Sequence, residues 1–322
     1  MFINLKSLKK KYGIDLLIFS VGVICIIICI LAYRIYKNVD NMDNTASNTD
    51  SKIAFLFLTI DNLKNPTIWE DYFKGNENKY TIYCHPKNPE KVTDKLLKNN
   101  IISEKYETGW GTFGTVQSNI AMIKAALQDT NNQRFVLISQ SCMPINSFDN
   151  FYNFIMKNDT SYFADYTLDE LKNTDIDKTF YNEYDIRYLM IINPKFPYDK
   201  FTKHSAQGLV FNRKHATILV DTILSNTPNW KNVRCVDEHY FGNVLHEQLG
   251  DNFKNEVTPN EITFDHWRLG KLTFKHQNNR IKSWFNYDEL SYEFIINARE
   301  NNYFFIRKVE TLPSPTNFSF IS

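Results

Sequence analysis

The stretch RCVDEHYFGNVL, residues 234–245, sets two carboxylates and an imidazole side by side as Asp237, Glu238 and His239. Three chemistries suit such a triplet. Asp237 could cap a helix whose face is marked by Val236, Tyr240 and Val244, with Glu238 in its first turn favoured by the helix dipole. The acids and the imidazole could ligate a metal. Or Glu238 or His239 could accept a proton from a substrate hydroxyl as a general base. A second chemical feature stands near the far end, in YFFIRKV, residues 303–309. There Lys308 closes an apolar run at what reads as a strand end, where a cation needs a reason.

These groups need a scaffold, and the chain between them alternates strand and helix patterns. Ile53–Ile60, IAFLFLTI, is apolar throughout at strand length, the pattern of a strand covered on both faces. Pro66 suits the first turn of a helix over NPTIWEDYF. Tyr80–Cys84 reads as a second strand and Pro89–Lys98 as a short amphipathic helix. Val116, Ile120, Ile123 and Leu127 form one face of a longer helix. RFVLIS, residues 134–139, is another buried strand, and Phe148, Phe151 and Ile155 mark a helix over Ser147–Lys157. GLVFN followed by RKHATILVDTIL repeats strand then helix. The alternation predicts an α/β fold with a largely parallel, helix-covered sheet. Ligands of such sheets bind outside the carboxyl ends of the strands. The candidate positions are therefore Thr59–Asn62, His85–Lys87, Ser139–Met143 and the acid pair. Only 10 glycines are present, and none forms a GxGxxG or P-loop pattern, which argues against dinucleotide and P-loop sites.

The 322 residues, 43% hydrophobic and 15% aromatic, can bury one large core or two small ones. A formal net charge of +1 gives no electrostatic case for a nucleic-acid partner. Residues 16–33, LLIFSVGVICIIICILAY, are uncharged, apolar and long enough to cross a bilayer as a helix. No small-x-small cleavage site follows, so the run reads as a retained anchor rather than a removed signal peptide. Lys6, Lys9, Lys10 and Lys11 precede it, and Arg34 and Lys37 follow. The heavier basic flank marks the cytoplasmic side, which predicts a type II protein with its bulk outside the cytosol. The expected organisation is a basic tail over 1–15, an anchor over 16–33, a polar stem over 34–52 and one globular domain over 53–322. The stem is too poor in apolar residues to fold. Cys84, Cys142 and Cys235 show no zinc spacing and allow at most one disulfide. Sequons at Asn158 and Asn317 suit a luminal domain, although such triplets are frequent in an Asn-rich chain.

Taken in order, IAFLFLTIDNLKNPTIWEDYFKGNENKYTIYCHPK, GWGTFGTVQSNIAMIKAAL, FVLISQSCMPI, HSAQGLVFNRKHA, VDEHYF and TFDHW resemble the core-2/I-branching β-1,6-N-acetylglucosaminyltransferase family, glycosyltransferase family 14, above all its plant-like branch. The resemblance spans roughly residues 53–310 and lies in the order and spacing of the pieces. It implies a GT-A fold, a Rossmann-like nucleotide-sugar half joined to an acceptor half. It implies inverting transfer from a UDP-sugar to a hydroxyl of a glycan or glycoprotein, in a Golgi- or ER-type membrane. N-acetylglucosamine is the implied sugar, with xylose and glucuronic acid, used by other members, as alternatives.

The same resemblance implies roles for single residues. Glu238 takes the place of the catalytic base, with His239 as its rival, because a helix N-terminus favours a charged carboxylate. Trp267 stands beside the acceptor sugar. No metal is expected: most GT-A enzymes end a central strand in DxD, whereas FVLIS ends in QSC. The metal-free branch sets two cations on the diphosphate, matched here by Arg280 and Lys308, with Arg268 and Arg307 as neighbours able to replace Arg280. A DxD at Asp175 and Asp177 follows a polar segment rather than a buried strand. Thr59, His85, Ser139 and Gln140, at strand ends, are candidates for the donor pocket. Leu269 stands where the family has a tyrosine, and the disulfides of its animal members have no counterpart. The acceptor type is therefore open. A membrane-tethered glycan-binding module on the same fold is the second reading, against which the joint retention of Glu238, Trp267 and Lys308 counts.

Overall fold

The computed structural model describes residues 51–167, 202–233, 235–265 and 290–312, all within the unit Ser51–Ser322. The apolar run of the N-terminal part forms β1 (Lys52–Thr59), and its residues alternate between two cores. Ile53, Phe55 and Phe57 enter a cluster with Trp69, Phe73, Phe148 and Phe151. Ala54 and Leu56 enter another with Val116, Ile120 and Phe135. Both faces are covered, which is why no polar residue interrupts the run. Each fully buried aromatic or branched side chain contributes roughly 1.5–3 kcal/mol.

Around β1 the chain lays down α1 (Pro66–Phe73), with Pro66 in its first turn, then β2 (Tyr80–Pro86) and α2 (Lys95–Lys98). There follow α3 (Phe113–Ala126), β3 (Asn132–Ser139), β4 (Met143–Pro144) and α4 (Phe148–Met156). Ser147 caps α4 by accepting the Asn150 N–H. Next come β5 (Ser161–Tyr162), β6 (Asp165–Thr167), β7 (Thr202–His204), β8 (Val210–Asn212) and α5 (Arg213–Trp230). A 3₁₀ turn over Val236–Glu238 leads into α6 (Tyr240–Leu249), α7 (Phe253–Glu256), β9 (Val257–Thr258) and β10 (Thr263–Asp265). The described residues end with α8 (Tyr292–Glu300), β11 (Phe305–Arg307) and the segment after it.

The main sheet runs β2-β1-β3-β8-β5-β9. Its first half is parallel, as the strand–helix alternation predicts. The second half differs: β8 is antiparallel to both β3 and β5, and only β5 and β9 pair in parallel there. A buried apolar strand reads the same whichever way its neighbour runs, so periodicity carries no direction. Pro89–Lys98 is also not one helix. It is a 3₁₀ turn over Pro89–Lys91 and then α2, because the Asn62 side chain intervenes. Its Oδ1 accepts the Thr93 and Asp94 N–H groups at 2.8 and 2.9 Å, and its amide donates to the Lys91 carbonyl.

A smaller sheet, β10-β11-β4, carries α8 over a third cluster that includes Ile68, Met143, Phe264, Phe294, Ile306 and Val309. Strands β6 and β7 form an antiparallel pair. The three cysteines of the globular part are free thiols, Cys84 and Cys142 buried. Among the described residues no helix is long and apolar enough to cross a membrane. The apolar run over 16–33, the stem up to residue 50 and the sequon at Asn317 lie outside the described residues.

Between β5, α5 and α7 sits a polar relay that is buried at Ser161 and His215 and partly exposed at Glu256. The Ser161 hydroxyl donates to His215 Nδ1 at 2.6 Å and accepts the Asn212 N–H, and His215 Nε2 donates to Glu256 at 3.0 Å. Ser161 and His215 are fully buried, so this serine–histidine–acid arrangement braces the fold and cannot reach a substrate. Burial holds the His215 imidazole below its ordinary value of 6.5, although Glu256 opposes the shift; buried His85 is lowered likewise. A histidine depressed in the folded state stabilises fully above its ordinary value and loses that contribution as pH falls towards the folded one. The thermal midpoint should therefore drop as pH falls below the ordinary imidazole value of 6.5. His215→Gln should lower the midpoint at neutral pH and flatten that slope. An unchanged slope in the variant would exclude His215 as a source of the acid lability.

Candidate active site at the ends of β3, β10 and β11

Strand β11 brings the C-terminal cations to the end of β3. It pairs antiparallel with β4 and parallel with β10, which sets Arg307 beside Asp265. Just past β11, the Val309 N–H donates to the Ser141 carbonyl at 2.9 Å. Lys308 is thus held against the turn that ends β3. Partial burial keeps its ammonium below the usual lysine range, and the adjacent Arg307 guanidinium pushes the same way. Asp265 and Glu238 oppose this by favouring the charged form. Two carboxylates from β10 and the 3₁₀ turn therefore share one field with two cations. Glu238 and Lys308, far apart in the chain, are near enough for the carboxylate's charge to bear on the ammonium, though less than that of Asp265 does.

Asp265 is buried and accepts from the Ser205 hydroxyl at 3.4 Å. Nothing in the sequence singles it out, since its partner across the ladder is distant in the chain. Arg307 Nε is buried without a hydrogen-bond acceptor among the described residues.

The acid pair is not the start of an α-helix. Helix α6 begins at Tyr240, with His239 at its cap position and no side-chain cap, so Asp237 does not cap it. Asp237 and Glu238 instead occupy the 3₁₀ turn, closed by Glu238 N–H to the Cys235 carbonyl at 2.9 Å and His239 N–H to the Val236 carbonyl at 3.1 Å. The reason is tertiary. His239 is buried, and its Nδ1 donates to the Thr202 carbonyl on β7 at 3.2 Å. Asn243 donates to the same carbonyl and accepts the Thr202 N–H. Anchoring His239 to β7 interrupts the helix before Tyr240. It also separates the two rivals: His239 is committed to a buried hydrogen bond, while Glu238 is partly exposed.

The four donor-pocket candidates lie at adjoining strand ends. The Thr59 hydroxyl donates to the Asp61 carbonyl at 2.9 Å. His85 Nε2 accepts the Tyr106 N–H at 3.0 Å. Gln140 Oε1 accepts the Ile60 N–H, and Ser139 Oγ lies 3.3 Å from Ser141 Oγ. These contacts tie the ends of β1, β2 and β3 to one another and to the loop that follows β2. Trp267, Arg280, Arg268, Asp175 and Asp177 lie outside the described residues. Among the described residues no group of three or more His, Cys, Asp or Glu could hold a metal ion. A groove of about 550 Å³ between β2 and α3, lined by Tyr83, Asn100, Glu104 and Lys124 among others, contains none of the residues of the charge cluster.

Residues 53–298 match the family described as Core-2/I-Branching enzyme. The chain belongs to that family. It is 24% identical over 251 residues, 68% of its own length, to Glycosyltransferase BC10 of Oryza sativa subsp. japonica, and spans 58% of that protein's length. The region that matches the Core-2/I-Branching enzymes contains Glu238 and Asp265 but stops before β11, so Lys308 stands on the geometry above.

One more contact belongs to this Core-2/I-Branching site. Gly111 has φ +66°, and a Cβ on it would lie 3.1 Å from the Cys235 nitrogen and 3.2 Å from its Cα. Both obstructing atoms are backbone of the residue that opens the turn bearing Glu238. Gly111→Ala should cost about 1–2 kcal/mol from the left-handed conformation alone, read by urea denaturation. Full retention of stability would show that the loop does not press on that turn.

Proposed function

We propose that this chain is an inverting glycosyltransferase of GT-A type that moves a sugar, N-acetylglucosamine first among donors, from a UDP-sugar to a glycan hydroxyl. The observation that supports it is the partly exposed Glu238 carboxylate in the field of Lys308, beside Arg307 and Asp265. In such a transfer Glu238 accepts the proton of the acceptor hydroxyl. The hydroxyl oxygen bonds to the anomeric carbon from the face opposite UDP, and the bond from that carbon to the diphosphate oxygen breaks. Lys308 and an arginine, Arg307 or Arg280, neutralise the charge that grows on departing UDP. The orphan Nε of Arg307 is a donor that an anionic ligand would satisfy. β3 leads into Gln140 and Ser141 rather than into carboxylates, so these cations take the part that a metal plays in DxD enzymes. Xylose and glucuronic acid are the alternative sugars.

The test is UDP release by the full-length chain in detergent from UDP-N-acetylglucosamine, UDP-xylose and UDP-glucuronic acid, with and without EDTA. Release from one donor should survive EDTA. Glu238→Gln should lower it by roughly 10²–10⁴ while UDP binding persists. Activity lost to EDTA and restored by manganese would end the two-cation account. Near-normal turnover in Glu238→Gln together with its loss in His239→Gln would move the base to His239. No release from any donor would leave a glycan-binding module.

We further propose that the run over 16–33 anchors the chain with residues 53–322 on the luminal side of a Golgi- or ER-type membrane, on the strength of its basic N-terminal flank. Protease added to sealed microsomes should spare the globular part until detergent is present. Its digestion without detergent would reverse the orientation.

A further inference from the structure

The turn after α4 carries the triplet Asn158-Asp159-Thr160, an Asn-x-Thr acceptor pattern for an N-linked glycan. The fold treats the backbone and the side chain of this asparagine differently. The Arg134 side chain, 5% exposed, reaches the turn from β3. Its Nε donates to the Ile155 carbonyl at 2.9 Å, its Nη2 to the Asn158 carbonyl at 2.7 Å and its Nη1 to Asp159 Oδ1 at 3.1 Å. The Asn212 amide donates to the Asp159 carbonyl at 3.1 Å. Thr160 Oγ1 lies 3.0 Å from Thr258 Oγ1 on β9. A buried guanidinium and two neighbouring strands thus hold all three residues in place.

The Asn158 side chain takes no part in this. It is exposed, and its amide enters no hydrogen bond among the described residues. Three buried asparagines, by contrast, spend their amides on backbone. Asn132 donates to the Ala126 carbonyl, Asn212 accepts the His215 N–H, and Asn243 donates to the Thr202 carbonyl. At Asn158 the carbonyl is committed and the amide is left at the surface, so a group attached to the amide would displace nothing. The turn also lies at the far end of β3 from the charge cluster. Arg134 is near the start of that strand, and Ser139 closes it just before Ser141, whose carbonyl holds Val309. Five residues of strand set about 16 Å between these ends. A bulky group on Asn158 therefore leaves the ends of β3, β10 and β11 open.

We propose that Asn158 is an N-glycosylation site. The proposal rests on the luminal placement of residues 53–322. The co-reactant is a lipid-diphosphate-linked oligosaccharide of that compartment. Asn158 Nδ2 bonds to the anomeric carbon of its first sugar, the bond from that carbon to the diphosphate oxygen breaks, and Nδ2 gives up one proton to the transferring enzyme. The Thr160 hydroxyl, two positions on, completes the pattern that such an enzyme recognises. Transfer takes place on the entering chain before it folds, and the finished fold then keeps the modified amide outside.

The full-length chain, made in eukaryotic cells, would be treated with peptide N-glycosidase in heavy-oxygen water, which removes an N-glycan and leaves a labelled aspartate at the attachment position. Peptide mass spectrometry should find the label at position 158, and should not find it when the glycosidase is omitted. Asn158→Gln and Thr160→Ala should abolish the label. Thr160→Ser, which keeps the hydroxyl, should retain it, and Asn317→Gln should leave it in place. Recovery of only unlabelled asparagine at position 158 overturns the proposal, as does a label that survives Thr160→Ala. Protease protection in sealed microsomes, measured on the same chain, separates two kinds of failure. An unlabelled position 158 in a protected chain ends the glycan site and keeps the luminal placement. An unlabelled position 158 in a chain digested without detergent ends both.

Discussion

The site depends on one crossing: the chain returns from α8 to lay β11 antiparallel to β4, and Val309 then bonds to the Ser141 carbonyl. β4 follows β3 directly, so this crossing fixes the last cations of the described chain relative to the end of a central strand. It is held from below by the cluster of Met143, Phe264, Phe294, Ile306 and Val309, apolar contacts that have no interest in charge. That division of labour matters energetically. Bringing two cations together in a partly dry place is unfavourable, and the charges could not assemble the site by their own attraction. Packing brings them there, and Asp265 and Glu238 offset the repulsion once they have arrived.

The balance has a chemical consequence. With two carboxylates and two cations the cluster is close to neutral as a whole. In the proposed transfer an entering diphosphate would compete with Asp265 and Glu238 for Lys308 and Arg307. A carboxylate that gives up part of its hold on Lys308 is a freer acceptor for a hydroxyl proton. Donor binding and readiness of the proposed base would then be coupled through one ammonium group.

The elements legible in the sequence were those whose causes are local. β1 could be read because both its faces are buried, α1 because Pro66 sits where a first turn accepts it, and α4 because Phe148, Phe151 and Ile155 share one face. What could not be read was set by distant contacts. The break in Pro89–Lys98 comes from Asn62, 31 positions before Thr93, and the direction of β8 from a pairing that hydrophobic pattern does not encode. In the site, Lys308 announced itself as a cation after apolar residues. Asp265 did not, because its meaning appears only when β10 meets β11. DEHYF was misread as a capped helix for the same reason: the spacing of Val236, Tyr240 and Val244 is sound, but Thr202 takes the His239 side chain and delays α6.

That delay puts Glu238 where a helix start could not. Inside a first helical turn the carboxylate would lie over the orphan N–H groups and be drawn towards them. On a single 3₁₀ turn it escapes that pull, and its charge bears on Lys308. The turn is entered through Cys235 at φ 51°, a left-handed conformation that costs a non-glycine residue about 1–2 kcal/mol. Gly111, itself left-handed, lies so close to that backbone that a Cβ on it would press against Cys235. Two unfavourable backbones placed back to back, next to Glu238, are the local rule-breaking expected where geometry serves a site rather than stability.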